Sequence, residues 1–462
     1  MRTIVIVGAG FSGVALAIQL LRSLNFRADI LLVNRSGIMA RGLAFGTTSE
    51  DHLLNVPAGN MSAIVQEPNS FVDFCRENLI NVDASHYLSR KVYGDYLDYL
   101  LRQAQACAGA GAGAGVLLKR VVGEVSDVLP DEDGAILTLE SGDKIKADHV
   151  VLAFGHFKPR DPIEALSRFD HSQYQRDPWL PRDIFRGSKD CNLLLVGSGL
   201  TALDMISSLR RAGHRGVIYI LSRRGLLPIP HREALPPSQD FDEFLEYVKS
   251  IKPSVLGYLR CIRFQTQLVM NNGGDWREVI SALRPITPVL WQRLDSKERK
   301  RFLRHVSVYW DVHRHRVAPE PFYMLKQELA VEKVKVLAGR IRGAKRHLAQ
   351  VRVEIELRAG RRIEVIDFGK VINCTGPSTD LRYVDEPLIK QLLESRLIQP
   401  DSEGLGIRVD ENLTVTSGKG ANAPWLSYIG PMLKAKYWEA TAVPELRQHA
   451  KKLSDYIALK LA

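Results

Sequence analysis

Cysteine is scarce in this chain of 462 residues: five, at Cys75, Cys107, Cys191, Cys261 and Cys374, with no CxxC pair and no clustering at metal-ligand spacing. That pattern excludes a dithiol relay and a cysteine-built metal centre, and it predicts a reducing, cytoplasmic setting with no metal. Long apolar runs are lacking too. Residues 1–21 are apolar with one arginine, but strand periodicity and a glycine turn explain them better than a secretory signal does, and no other stretch is long enough to span a membrane. Nucleic-acid recognition motifs and stacking series are also missing, although Lys and Arg number 63 against 52 Asp and Glu, a formal net charge of +11. The positive field is therefore read as one that attracts phosphate-bearing or acidic small molecules, with no nucleic acid and no membrane as partner. A hydrophobic content of 45% with 25% charged residues excludes disordered and collagen-like classes and suits two or three domains with substantial cores.

What the chain does have is one device used twice. Residues 4–13 read IVIVGAGFSG: an apolar strand runs into Gly8, Gly10 and Gly13, and an apolar helix follows over 14–21. Residues 193–204 read LLLVGSGLTALD, with Gly197 and Gly199 in the first two positions and Ala202 as an accepted third. In such a turn the first glycine permits the tight bend, the second lets backbone approach a pyrophosphate, and the third lets helix pack on strand. The helix N-terminus then faces the phosphates, so Phe11 and Ser12 in the first copy, and Leu200 and Thr201 in the second, are candidate backbone contacts. Each turn sits in a strand-helix-strand unit, the second strands falling at 29–33 and 217–221. The Gly/Ala run at 106–115 has similar spacing but no strand in front, and it is expected to be a flexible connector.

The symmetry extends further. Residues 116–125, 135–140 and 144–149 read as a three-stranded meander ending in VVLAFGHF at 150–157, and 334–336, 350–357 and 362–365 read as another ending in KVINCTGP at 370–377. Both halves stop at a small-residue step, Gly155 or Gly376. The expected fold class is α/β, with two Rossmann-like dinucleotide-binding domains, each with a β-meander, plus a helical insertion. The first domain is expected over 1–165 and 370–462, and the second over 185–369 with the insertion at 240–330.

Several strings carry a family likeness: RGLAF at 41–45, HLLNVPAGNMSA at 52–63, RKVYGDYL at 90–97, LSRRGL at 221–226 and WEATAVPELR at 438–447. In these the chain resembles the bacterial FAD/NAD(P)-binding proteins, flavoproteins with two dinucleotide-binding domains, and more distantly the N-hydroxylating and other single-component flavin monooxygenases. The resemblance implies FAD in the N-terminal unit and NAD(P)H in the inserted one. It also implies that Arg41, Asn55, Met61 and Ser62 lie close to the flavin, with Asn60 or Ser62 turned toward it. Two departures weaken the flavin site without removing its pyrophosphate turn. The ribose position at the end of the second strand holds Asn34, followed by Arg35, where a carboxylate is usual. Near the C-terminus Ile429-Gly430-Pro431 stands where relatives carry Gly-Asp.

The equivalent ribose position of the second unit is Ser222, followed by Arg223 and Arg224, a combination that receives a 2′-phosphate and predicts NADPH over NADH. Thr441, before Ala442-Val443-Pro444, reads as the cap of a helix whose positive end is aimed at the flavin. His156 and His231 are candidates for proton transfer or for structural roles. The insertion, with Trp276, Trp291, Tyr309, Trp310 and the run Arg314-His315-Arg316, either presents a solvated basic face or caps the site and selects an acidic or aromatic substrate. The expected function is a monooxygenase that uses FAD, NADPH and molecular oxygen to hydroxylate a small molecule; the alternatives are an NADPH-dependent flavin reductase or oxidase, and a non-catalytic nucleotide-binding protein with a weakened flavin site.

Overall fold

The computed structural model describes all residues except 79–80, 111–114, 181–188, 233–239 and 419–422, and the side chains of 109–110. In chain order the strands are β1 (Arg2–Val7), β2 (Ala28–Asn34), β3 (Val116–Val122), β4 (Val125–Asp131), β5 (Gly134–Leu139), β6 (Lys144–Ala147) and β7 (His149–Leu152), then β8 (Tyr174–Gln175), β9 (Leu193–Val196), β10 (Ile218–Ser222), β11 (Val334–His347), β12 (Gln350–Leu357), β13 (Ile363–Phe368), β14 (Lys370–Asn373) and β15 (Leu426–Tyr428). One sheet has the order β15-β7-β1-β2-β3, all parallel. The second runs β8-β14-β9-β10-β11 in parallel and continues antiparallel through β12 and β13. Four strands of each parallel sheet, β7-β1-β2-β3 and β14-β9-β10-β11, share one topology, and the edge strands differ, β15 coming last in its sheet in chain order and β8 first in the other. Residues 4–7 of β1 and all of β9 are buried, which is why they read as unbroken apolar runs without alternation.

The duplication covers four parallel strands of each half, and the meander strands differ from the bounds expected. The expected first meander strand at 116–125 is two elements. β3 extends the parallel sheet beside β2, whereas β4 pairs antiparallel with β5 in a separate three-stranded layer. In the second half one 14-residue strand does both jobs. β11 runs parallel to β10 up to Ala338, then antiparallel to β12 from Gly339 onward, with a bulge between Ile341 and Gly343. β14, which begins at Lys370, pairs with β9 in the second sheet.

The helix Phe11–Ser23 buries every residue from Phe11 to Leu21, consistent with its place between the first sheet and the C-terminal helix Val443–Leu461, to which Ser23 Oγ bonds through Ser454 Oγ at 2.7 Å. The Gly/Ala run is helical in its first half, because the helix Arg90–Ala110 continues through it. Tyr93, Tyr96, Leu97, Leu100, Leu101 and Ala104 form the buried stripe of that helix at helical spacing, and alanine then propagates the helix at little cost. Between β10 and β11 the described chain is helical, from Asp242–Ser250 to Pro319–Ala330. Among the described residues no helix is long and apolar enough to cross a membrane.

His149 opens β7 opposite Ile4 and is fully buried, with Nε2 3.0 Å from Ser427 Oγ on β15. Burial, and to a lesser degree the Lys460 charge, pushes it down to about 3. Between its ordinary value of 6.5 and that value, the unfolded chain takes up a proton that the folded chain refuses. Stability therefore falls as pH drops through this window, by up to about 1.4 kcal/mol per pH unit. His149→Gln is expected to remove one proton's worth of that slope, read from urea denaturation at pH 6, 5 and 4.

Candidate functional site

The two glycine turns are near copies at atomic level. Gly8 and Gly197 have φ of +114° and +115°, in the region that favours glycine. A Cβ on Gly8 would lie 2.7 Å from the Ala153 carbonyl oxygen, and one on Gly197 would lie 2.2 Å from that of Cys374. The turn is therefore wedged against the neighbouring parallel strand, β7 in one sheet and β14 in the other. A Cβ on Gly13 would meet the Gly8 carbonyl oxygen at 2.0 Å, so helix and turn are in backbone contact. Gly10 and Gly199, by contrast, have ordinary extended backbones and stand clear: 3.7 Å to the Gly42 Cα in the first case, nothing within 4 Å in the second.

Gly10 and Gly199 cap their helices without any side-chain hydrogen bond, and neither helix has an acidic residue in its first turn. The opening N–H groups are thus left for an anion, with the helix dipole behind them. Gly155 and Gly376, beyond the ends of β7 and β14, also have nothing near their Cβ positions. These cradles fit two dinucleotides.

At the first ribose position, Asn34 Nδ2 donates to Ser36 Oγ at 3.0 Å and to the Ile38 carbonyl at 2.7 Å. That carbonyl requires an N–H, which fixes the orientation of the amide and turns Oδ1 to the opposite side, as an acceptor. Arg35 is exposed and paired with Glu124 and Glu386, at 3.3 and 3.0 Å. Arg41 pairs with Asp95 beside the first turn. Phe11 packs its ring on Phe45 and Tyr93, so only its backbone serves the turn, while Ser12 and Met61 are buried.

Ser62 is corrected as a catalytic candidate. Its hydroxyl is fully buried and encircled by the Ile64 and Glu67 carbonyls and Ser70 Oγ at 2.6–3.1 Å, a loop-fastening network completed by Tyr96. Asn60 is exposed at the end of the short turn Ala58–Asn60. His156 is exposed, one residue beyond Gly155. His231 is held by its Nε2, 2.9 Å from the Asn55 carbonyl, and burial pushes it down to about 4. A carbonyl only accepts, so His231 is the neutral Nε2–H tautomer, with its proton committed to fastening the loop.

Gly430 has φ of +145° and precedes the short helix Pro431–Ala435, in which the proline takes the first position. Thr441 is not a helix cap. The helix Val443–Leu461 begins two residues later, on Ala442 and without a side-chain cap, because the Thr441 N–H is turned back to the Glu439 carbonyl at 2.7 Å.

The second turn opens into a cleft of about 1510 Å³ between the sheet and the helices Ser296–His305 and Ser307–Arg314. Gly197, Gly199, Leu200, Thr201, Ser222, Arg223, Arg224 and Gly376 all line it. Ser222 Oγ accepts from the Gly225 N–H at 3.0 Å, and Arg224 lies over the Tyr309 ring, 4.8 Å from its centre. Arg223 is exposed and forms no ion pair among the described residues. Arg340, Arg358 and Arg361 also line the cleft, and the glycine-turn motif gave no hint of them. A signal was nonetheless present. The parallel part of β11 ends at Ala338, and ligands gather beyond the C-terminal ends of parallel strands. The antiparallel return then brings Arg358 back beside Ala338, where its N–H donates to that carbonyl at 2.8 Å.

The two units are locked together around this site. Arg90 and Asp204, one from each unit and both largely buried, pair at 2.8 Å. His52 joins Thr47 to Ser208 at 2.7 and 2.8 Å. The insertion docks on the C-terminal segment: Trp291 Nε1 donates to the Ala435 carbonyl at 3.0 Å, Trp310 Nε1 and Arg314 hold the buried Glu439 at 2.9 and 3.1 Å, and Arg284 takes Glu445 in a two-pronged pair.

The glycines separate two outcomes. Gly197→Ala is expected to prevent cooperative folding, because its Cβ has no room. Gly199→Ala is expected to keep its melting temperature within about 2 °C of the parent and to weaken NADP⁺ in calorimetric titration, its methyl standing where the pyrophosphate approaches.

Residues 5–157 match the family described as FAD-NAD(P)-binding. Among curated proteins none matches. Solved structures with similar folds include the ornithine hydroxylase of Pseudomonas aeruginosa (14% identity, TM-score 0.65, all of both chains covered) and the ornithine N-hydroxylase of Kutzneria sp. 744 (15%, 0.64, all of both chains). The L-lysine 6-monooxygenase of Pseudomonas syringae is another (16%, 0.59, 100% of this chain and 99% of that one). Over residues 5–157 the chain is thus similar to the FAD-NAD(P)-binding family, and along its whole length it has the fold of the ornithine and lysine hydroxylases.

Proposed function

We propose that this protein is an FAD-dependent, NADPH-consuming monooxygenase that hydroxylates a small molecule. The observation that carries this reading is the pair of matched glycine cradles, Gly10 and Gly199, each set before an uncapped helix N-terminus and opening at the end of equivalent sheets. FAD would lie along residues 1–165 and the C-terminal segment, with NADPH in the arginine-lined cleft of the inserted unit. When bound, the flavin supplies a two-electron carrier that accepts hydride from NADPH and reacts with oxygen.

The chain supplies position and charge. Gly8, Gly10 and Gly13 shape the first pyrophosphate turn, and Asn34 Oδ1 accepts a ribose hydroxyl. The opening N–H groups of Leu200–Arg211 receive the second pyrophosphate. Arg223, with Arg340, Arg358 and Arg361 nearby, receives the 2′-phosphate through charge-assisted forks. His231 and the Arg90–Asp204 pair hold the loop at 52–62 against the second unit, which keeps the two cofactor sites in one register. The support from relatives is the shared fold with proteins named as ornithine and lysine hydroxylases.

The purified protein is expected to be yellow, with flavin absorbance, and to oxidise NADPH with oxygen uptake. A colourless protein that ignores added FAD refutes the reading. Arg223→Ala and Arg358→Ala are each expected to weaken NADPH by roughly 10- to 100-fold, the value of a lost charge-assisted contact, with NADH little changed. Equal losses for both nucleotides count against the 2′-phosphate assignment.

A further inference from the structure

Where the helical insertion meets the loop expected to pass the flavin, three guanidinium groups gather around two carboxylates, and only two of the three pair with them. Arg232 pairs with Asp275 at 3.0 Å and with Glu278 at 2.7 Å, and Arg277 pairs with Asp275 at 3.0 Å. Nearby Arg314 is taken by Glu439. Arg316 has neither carboxylate. It is only 7% exposed, and its donors reach neutral acceptors: the His313 carbonyl at 3.0 Å, Ser281 Oγ at 2.9 Å and the Arg277 carbonyl at 3.3 Å. Among the described residues it forms no ion pair. Burial, then the Arg314 and Arg277 charges, pulls even this guanidinium down to about 10. A buried cation without a counter-charge is costly, neutral acceptors offset only part of that cost, and an anion brought to it would offset more.

The place of this cation in the fold points to the anion's origin. The next residue, Val317, accepts the His231 N–H at 3.0 Å, and His231 reaches the Asn55 carbonyl. Arg316 therefore stands behind the contact between the insertion and the loop at 52–62, far along the chain from either glycine turn. Its surroundings are aromatic. The Trp276 ring centre is 5.7 Å from its guanidinium carbon, and the ring of the half-buried Tyr87 lies 5.3 Å from that of His231.

We propose that Arg316 anchors the carboxylate of the small-molecule substrate, a carboxylic acid with an apolar or aromatic body that packs near Tyr87 and Trp276. The proposal rests on the reading of the protein as an FAD- and NADPH-dependent oxidoreductase, and it adds the substrate class. The insertion would then act as the specificity element, its one unmatched buried charge complementary to the ligand's.

Benzoate and its neutral isostere benzamide are the probes. They are added to the full-length protein loaded with FAD and saturated with NADP⁺, so that the arginine-lined cleft is filled. Benzoate is expected to raise the melting temperature of the parent in a concentration-dependent way, and benzamide is not. Arg316→Met is expected to lose the benzoate response while keeping flavin absorbance and the stabilisation given by NADP⁺. Arg316→Lys, which keeps the charge without the fork, is expected to bind benzoate about tenfold more weakly in calorimetry and decides the matter if the methionine variant does not fold. No benzoate response in the parent, or an equal response in parent and variants, overturns the proposal. Loss of flavin absorbance or of the NADP⁺ shift in the parent overturns the cofactor reading instead.

Discussion

The backbone-to-backbone contact at the glycine turns is the constraint from which the rest follows. The helix Phe11–Ser23 can lie on its strand only because Gly13 brings its Cα where a methyl group would overlap the Gly8 carbonyl. The turn itself can lie against β7 only because Gly8 lacks a side chain, and Gly197 meets the same demand against β14. Once those contacts are made, the helix axis points its positive end past Gly10 and Gly199, which alone among the turn glycines face open space or stand clear. The open approach to each helix N-terminus is thus a by-product of close packing: Gly8, Gly13 and Gly197 have no room for a side chain, and Gly10 and Gly199 leave the space in front of the helix clear.

Two such units would be independent binding modules without the contacts that bridge them. Arg90 and Asp204 come from two of the most conspicuous strings in the chain and meet as a largely buried ion pair. The desolvation of both groups makes such a pair a weak source of stability, so its effect is better understood as fixing one relative placement of the units. The insertion adds a second clamp, with Glu439 held by Trp310 and Arg314, Glu445 held by Arg284, and Trp438 packed against Trp291 and Phe302. The helical segment thus touches both halves of the molecule, and a charge buried at that seam is well placed to read a ligand lying between them.

Legibility tracked the range of the interaction behind each signal. The turns, their strands and their helices were readable because glycine spacing and apolar runs are local consequences of local geometry. The helical character of the chain between β10 and β11 was also readable, from its periodicity. The division of residues 116–125 into β3 and β4 was not, because one half pairs with β2 and the other with β5, partners that lie on either side in sequence. Ser62 looked like a polar group facing a cofactor and is instead a buried knot, since its partners at Glu67 and Ser70 make an enclosure that no spacing rule describes. Thr441 has the right residue type for a cap, but its N–H is turned back to Glu439 and the helix begins later.

By itself the sequence determined that this is a duplicated α/β chain with two dinucleotide turns, because those turns demand particular residues at particular spacings and tolerate few others. Its string at 221–224 also showed that the second turn has serine and two arginines, and no carboxylate, at the ribose end. Only the tertiary structure decided what surrounds those turns. It gathered Arg340, Arg358 and Arg361 from a strand and its antiparallel return, committed Arg35 to two glutamates 89 and 351 residues away, and tied His231 to Asn55 across the seam. It also left Arg316 the one guanidinium of its cluster with no carboxylate among the described residues. The charge balance of a buried cluster is a sum over neighbours drawn from distant parts of the chain, and no local pattern records that sum.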